Sequence, residues 1–192
     1  MFTKRNLINL KLHKSISTIF VLTVFASSTQ AECFYDNIQA TTPSSRFNIN
    51  SDGTVTDKKS GLVWKRCSEG QTVSANSCNG NLTKMSWQQA LNSAKSNNDN
   101  SFANANNWRL PNIKELQSIV EYACQKPAIN SEIFPNVPNI TDFKYWSSST
   151  KAGEFTNPIY AWAMRMDDGS AYFQDKTLDT IFLVRLVRDT IQ

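Results

Sequence analysis

The sequence predicts an α+β domain in which two helices pack on a mainly antiparallel sheet, and three observations lead to that class. Short β-type runs punctuated by turns come first, two capping-box signatures then open amphipathic stretches, and a hairpin signal with an apolar run closes the chain. Strands, then helices, then strands is the order of an α+β fold rather than of alternating βαβ units.

Residues 1–31 stand apart from that domain. Lys4, Arg5, Lys11 and Lys14 precede an uncharged, mostly apolar run from Ile16 to Ala26, and small or polar residues lead to Ala31. This is the pattern of a secretory signal peptide cleaved after Ala31. The apolar run is shorter than the roughly 20 residues a membrane-spanning helix needs, and no other stretch is a candidate span. The expected organisation is therefore a leader over 1–31, an N-terminal segment over 32–45 and a domain over 46–189. The expected location is secreted, periplasmic or cell-surface.

Four of the 20 basic residues and none of the 16 acidic ones fall in 1–31, so 32–192 carries 16 of each and is formally neutral. Net charge thus gives no reason to expect nucleic acid as a partner. The one histidine, His13, lies in the leader. Residues 32–192 therefore cannot build Ser-His or Cys-His nucleophile pairs or His-containing metal sites. Cys33, Cys67, Cys78 and Cys124 make an even set in an exported chain, which reads as two disulfides with three pairings open. The preferred pairing is Cys67–Cys78, closing a short polar loop, with Cys33–Cys124 tying the new N-terminus to a helix end.

"RFNINSDGTVTDKKSGLVWKRC" alternates short apolar runs with Ser51-Asp52-Gly53 and Lys58-Lys59-Ser60-Gly61, which predicts an N-terminal β-meander. Cys67 to Thr83 reads as a polar loop. Ser86 with Gln89 forms a capping box ahead of Trp87, Ala90, Leu91 and Ala94, predicting a helix over 87–95. The asparagine-rich stretch after it reads as a surface loop. Pro111 holds Leu110 extended, Asn112 and Glu115 form a second capping box, and Ile113, Leu116, Ile119, Val120 and Ala123 share one face. A second helix over 113–123 follows, and "WRLPNIKELQSIVEY" reads as scaffold. "KYWSSST" is a strand, "YAWAMRMDDGSAYFQD" a hairpin around Asp167-Asp168-Gly169, and "TIFLVRLVRD" a last, buried strand.

"DGTVTDKKSGLVWKRC", "WRLPNIKELQSIVEY", "YWSSS", "AWAMRMDDG" and "VRLVRD" occur in the order in which the Lcl C-terminal domain family carries such blocks. The chain resembles that family over about residues 46–189. The resemblance implies a C-type-lectin-like α+β fold, distantly similar to the formylglycine-generating, sulfatase-modifying enzymes. It also implies a binding role, since the founding member is the tip domain of a bacterial collagen-like adhesin that binds sulfated glycosaminoglycans. The six glycines here show no Gly-X-Y period, so the trimerising stalk of that adhesin does not carry over.

The expected function is an exported, adhesin-like, non-enzymatic module that binds a glycan. Sugar sites combine an aromatic face with a few fixed polar groups. Trp146, Tyr160, Trp162, Arg165, Asp167, Asp168 and Tyr172 are the candidate ligand residues. The competing reading makes Trp146 and Trp162 sheet core and Asp167-Asp168-Gly169 a plain turn. Calcium-dependent lectins of the related fold carry Glu-Pro-Asn or Gln-Pro-Asp with a downstream Trp-Asn-Asp, and this chain has neither. Asp167, Asp168 and Asp175 remain as hard oxygen donors, but no metal and no other cofactor is expected. Sulfate groups would meet Lys144, Lys151, Arg165, Lys176, Arg185 or Arg188. Arg109, Arg185 and Arg188 are read instead as fold-internal ion pairs with Glu115 or Glu121. An alternative is an envelope- or pilus-associated module with a protein partner. A formylglycine-generating activity lacks its ligands, with no histidine after 31 and no cysteine after Cys124.

Overall fold

The computed structural model describes residues 31–150, 159–176 and 179–190; Lys151 and the expected leader, Ala31 excepted, lie outside the described residues. The elements run β1 (Glu32–Cys33), β2 (Phe47–Ile49), β3 (Thr54–Asp57), β4 (Leu62–Lys65), β5 (Thr72–Ser74) and β6 (Ser77–Asn79). Helices α1 (Trp87–Asp99) and α2 (Ile113–Ser118) follow, then β7 (Cys124–Gln125), β8 (Lys144–Thr150), β9 (Tyr160–Arg165), β10 (Ala171–Asp175) and β11 (Val187–Asp189). Two sheets carry the domain, ordered β11-β4-β3-β2 and β10-β9-β8, with small pairs β1-β7 and β5-β6 beside them. All these strand pairings are antiparallel. The architecture is α+β, with an N-terminal β-meander.

Both capping boxes form as their spacing requires. The Ser86 hydroxyl accepts from the Gln89 amide while the Gln89 side chain accepts from the Ser86 amide, and Asn112 and Glu115 do the same for α2. The helix ends differ from the pattern. α1 continues to Asp99, into the stretch expected to be loop, because the Asn98 side chain locks onto the Trp108 backbone, donating to its carbonyl (2.9 Å) and accepting from its amide (2.6 Å). α2 stops at Ser118 instead of 123. The Glu121 amide turns to the Ala128 carbonyl (3.1 Å) and Val120 pairs with Ile129, so the chain leaves the helix while Ile119, Val120 and Ala123 stay buried. The polar loop after Cys67 is itself a hairpin, β5-β6.

The expected last strand is also shorter than its apolar run. Phe182 to Val187 are all buried, and they alternate between two cores: Leu183 and Val187 enter one with Trp64, Leu116 and Tyr145. Phe182, Val184 and Leu186 enter the other with Trp108, Trp146 and Ala90. The backbone moves between sheets as it goes, bridging Leu183 to Tyr145 and then pairing Val187 with Trp64. That path needs apolar side chains on both faces, hence the density without a long ladder.

The disulfides are Cys33–Cys124 and Cys67–Cys78. The first fastens the segment before β2 to the end of the α2 region. Burial would raise the Glu121 carboxyl, but the amides of Thr41, Ala123 and Thr42 outweigh it and hold it below its ordinary range. Arg46 and Asp57 form a second internal tie, a buried ion pair.

Candidate functional site

The β9-β10 hairpin positions most of the residues the sequence singles out. In an antiparallel pair, opposed residues share a face and successive residues alternate. Trp162 opposes Phe173 and Tyr160 opposes Asp175, while Ala163 opposes both Tyr172 on one side and Trp146 on the other. Lys144 opposes Arg165. The candidates therefore split between two faces: Tyr160 and Trp162 on one, Trp146, Arg165 and Tyr172 on the other.

On the first face three rings form a cluster. Phe173 meets Tyr160 edge-on at 5.8 Å between centroids and Trp162 edge-on at 5.9 Å. Phe173 is 47% exposed and Tyr160 38%, with Trp162 partly buried beneath them. Phe173 is the member that the sequence reading missed, although its register opposite Trp162 across the Asp167-Asp168-Gly169 turn was available to find it.

On the second face Trp146 is a correction. It is fully buried, packed at a tilt against Phe182 with ring centroids 4.5 Å apart, and its indole nitrogen donates to the Met85 carbonyl (2.8 Å). A ring enclosed on all sides offers nothing for a sugar to stack on. Tyr172 remains exposed, with the Lys144 ammonium and the Arg165 guanidinium each 5.6 Å from its ring centre. Hydrogen bonds from Ser170 and then Arg165 lower the Tyr172 hydroxyl from its ordinary value.

The turn is organised by charge. Arg165 Nε donates to Asp167 (2.8 Å), Nη2 reaches the other Asp167 oxygen, and Asp168 lies 3.2 Å away. This pairing raises the Arg165 guanidinium and, against burial, holds the Asp167 carboxyl below its ordinary range. Asp167 is thus buried and occupied by Arg165, and Asp168 is turned onto the Ser170 amide (2.9 Å). Among the described residues no three His, Cys, Asp or Glu side chains gather to hold a metal ion. Gly169 takes φ +74°, and a Cβ there would come within 2.6 Å of Val120, so this turn docks closely against the chain beyond α2.

The remaining cations separate into two kinds. Lys176 lies 4.4 Å from the Trp87 ring centre and Lys84 lies 4.3 Å from that of Phe143, which with Lys144 gives three lysines over rings around the start of α1. The arginines turn inward. Arg109 grips Glu115 through two 2.8 Å bonds, the expected internal pair. Arg185 departs from that expectation: it is buried, without a carboxylate in hydrogen-bond contact, donating to the Lys65 carbonyl (2.9 Å), the Arg66 carbonyl and the Ser68 hydroxyl (3.2 Å). Glu121 likewise binds no arginine, taking Thr41 and Thr42 instead. Arg188 lies over the Trp108 ring at 5.4 Å.

No helix among the described residues is long and apolar enough to cross a membrane. No curated protein and no solved structure matches the chain. A match to the Lcl C-terminal domain spans residues 53–188, taking in β3 and β4 of the meander, both helices and the whole hairpin with its ring cluster. By that span, which is most of its length, the chain belongs to the Lcl C-terminal domain family.

Proposed function

We propose that this chain is an exported, non-enzymatic binding module that engages a glycan on the β9-β10 hairpin. The observation that carries the reading is the exposed cluster of Tyr160, Trp162 and Phe173. Ring faces of this kind stack against the apolar C–H faces of sugars, with nearby polar groups fixing orientation. Tyr172 and Lys144 lie on the opposite face of the hairpin and present a hydroxyl and a cation there, to a part of the ligand that extends beyond the ring cluster. The founding member of the family binds sulfated glycosaminoglycans; sulfates on a ligand of this chain would meet Lys144 and Lys176. Export is supported by the leader-like start and by two disulfides, which persist in oxidising compartments. The non-enzymatic reading is supported by the absence of histidine after residue 31 and by four cysteines all held in disulfides.

The test is a glycan array with neutral and sulfated members, probed with oxidised 32–192 at low and high salt, with and without a chelator. Saturable binding that ignores the chelator is expected. Phe173→Ala and Trp162→Ala should each weaken it by on the order of tenfold, as loss of a stacking ring does. Sulfated ligands should lose affinity with salt, and Lys144→Ala should reduce that loss. Silence across the array would overturn the glycan reading in favour of a protein-interaction module.

A further inference from the structure

A second concave surface lies away from the hairpin's ring cluster. The segment from Cys33 to Ser44, fastened by Cys33–Cys124, lines an open cleft of about 670 Å³ with residues 124–132; Ala31, which also lines it, belongs to the expected leader. That volume is in the range of ligand pockets, about 300–1,000 Å³. Its walls are apolar and aromatic at Tyr35, Pro43, Ile129 and the disulfide, and Glu132 carries the one ionised side chain among the lining residues. Lysine and arginine are absent from that lining. The Ser44 hydroxyl donates to one Glu132 oxygen (2.5 Å) and so fixes the carboxylate at the wall.

Glu32 and Asp36 add to the negative sign of Glu132, against Arg46 and Lys126, which follow the lining residues Ser44 and Cys124 by two positions, and against the α-amino group that cleavage after Ala31 would leave on Glu32. The Tyr35 hydroxyl is raised from its ordinary value, first by partial desolvation at the wall, although the side chain stays half exposed, and then by the Glu121 and Glu132 carboxylates. Beside it, Phe34 is 41% exposed, Tyr35 53% and Tyr122 51%. The Phe34 amide donates to the Ala123 carbonyl (2.8 Å) and the Tyr122 amide to the Thr41 hydroxyl (3.0 Å), so these rings are carried on backbone where residues 33–44 are tied to the chain beyond α2. Exposed rings with a fixed carboxylate are the chemistry that recognises an organic cation, through the ring quadrupole and through charge. An arginine or lysine stem would cover the apolar wall while its head reached Glu132.

We propose that this cleft docks a basic segment of a protein partner, with one arginine or lysine inserted beside Glu132 and flanking residues resting on Phe34, Tyr35 and Tyr122. A chain is favoured over a free amine because the exposed rings extend the contact beyond the cleft. The surface is independent of the glycan reading, whose cations sit around the hairpin and α1.

The experiment titrates the oxidised protein with acetyl-Gly-Arg-Leu-Arg-Gly-amide and with its Glu-for-Arg twin, followed by NMR. Saturable binding of the arginine peptide alone is expected, with Tyr35 and Ile129 resonances shifting. Glu132→Lys should weaken it by on the order of tenfold or more, by charge reversal at an exposed and tolerant position, while Trp162→Ala leaves it unchanged. Equal binding of both peptides, unchanged affinity in Glu132→Lys, or shifts confined to the hairpin would overturn the proposal. So would binding seen only after the α-amino group of Glu32 is acetylated, which would show that the chain's own terminus fills the cleft.

Discussion

Glu121 accepts hydrogen bonds from the amides of Thr41, Thr42 and Ala123 and from both threonine hydroxyls, in a position without solvent exposure. A carboxylate so placed is stabilising only while ionised. Its folded-state value lies below the ordinary 4.5, so its contribution is complete above 4.5 and is lost as pH falls through the lower folded value. Glu121→Gln should therefore be destabilised by about 3 kcal/mol at neutral pH, the cost of leaving buried donors poorly matched. Thermal melts of both proteins between about pH 7 and pH 3 should converge as acid removes the wild-type advantage. A constant gap across that range would assign the loss to packing alone. Arg185 poses the opposite problem. Its burial among the Lys65 and Arg66 carbonyls and the rings of Phe134 and Tyr145 had no local signal, since a sequence does not show which carbonyls lack partners.

At the scale of elements, local signals were reliable and endings were not. The capping boxes of α1 and α2 depend on residues three apart and form where the pattern puts them. The end of α2 depends on Ala128, Ile129 and Thr41, which no window around 113–123 contains. Because α2 spans six residues, its cap carries much of its stability, and Asn112→Ala should cost about 1 kcal/mol in urea unfolding. Trp108 and Leu116 are buried core on opposite sides of that cap. Truncating either to Ala should cost about 2–5 kcal/mol and leave glycan preference unchanged in the fraction that folds. Should Trp108→Ala melt normally yet lose binding, the scaffold assignment of this stretch would be wrong.

For the molecule as a whole, the two disulfides act over different spans. Cys33–Cys124 closes a separation of 91 residues and Cys67–Cys78 one of 11. Chain entropy assigns them about 4.5 and about 3 kcal/mol respectively. Replacing the first pair by serine should therefore lower the melting temperature more than replacing the second. It should also release residues 33–44 and with them the proposed binding of the arginine peptide, while glycan binding on the hairpin is expected to be unchanged. The reverse order of melting temperatures would show that β5-β6 contributes more to the native state than its loop length implies.

By itself the sequence determined the meander, the starts of both helices and the hairpin, because each rests on spacing within a short window, and the α+β class and the family, because these rest on the order of elements and blocks along the chain. Tertiary structure alone decided what the aromatics do. Trp146 and Trp162 have similar surroundings in sequence, yet one is enclosed between α1 and the 182–186 segment and the other lies in the ring cluster of the β10 side. Strand alternation assigns each side chain to a face, but only the packing of other elements determines which face is covered and how far along the strand that cover reaches.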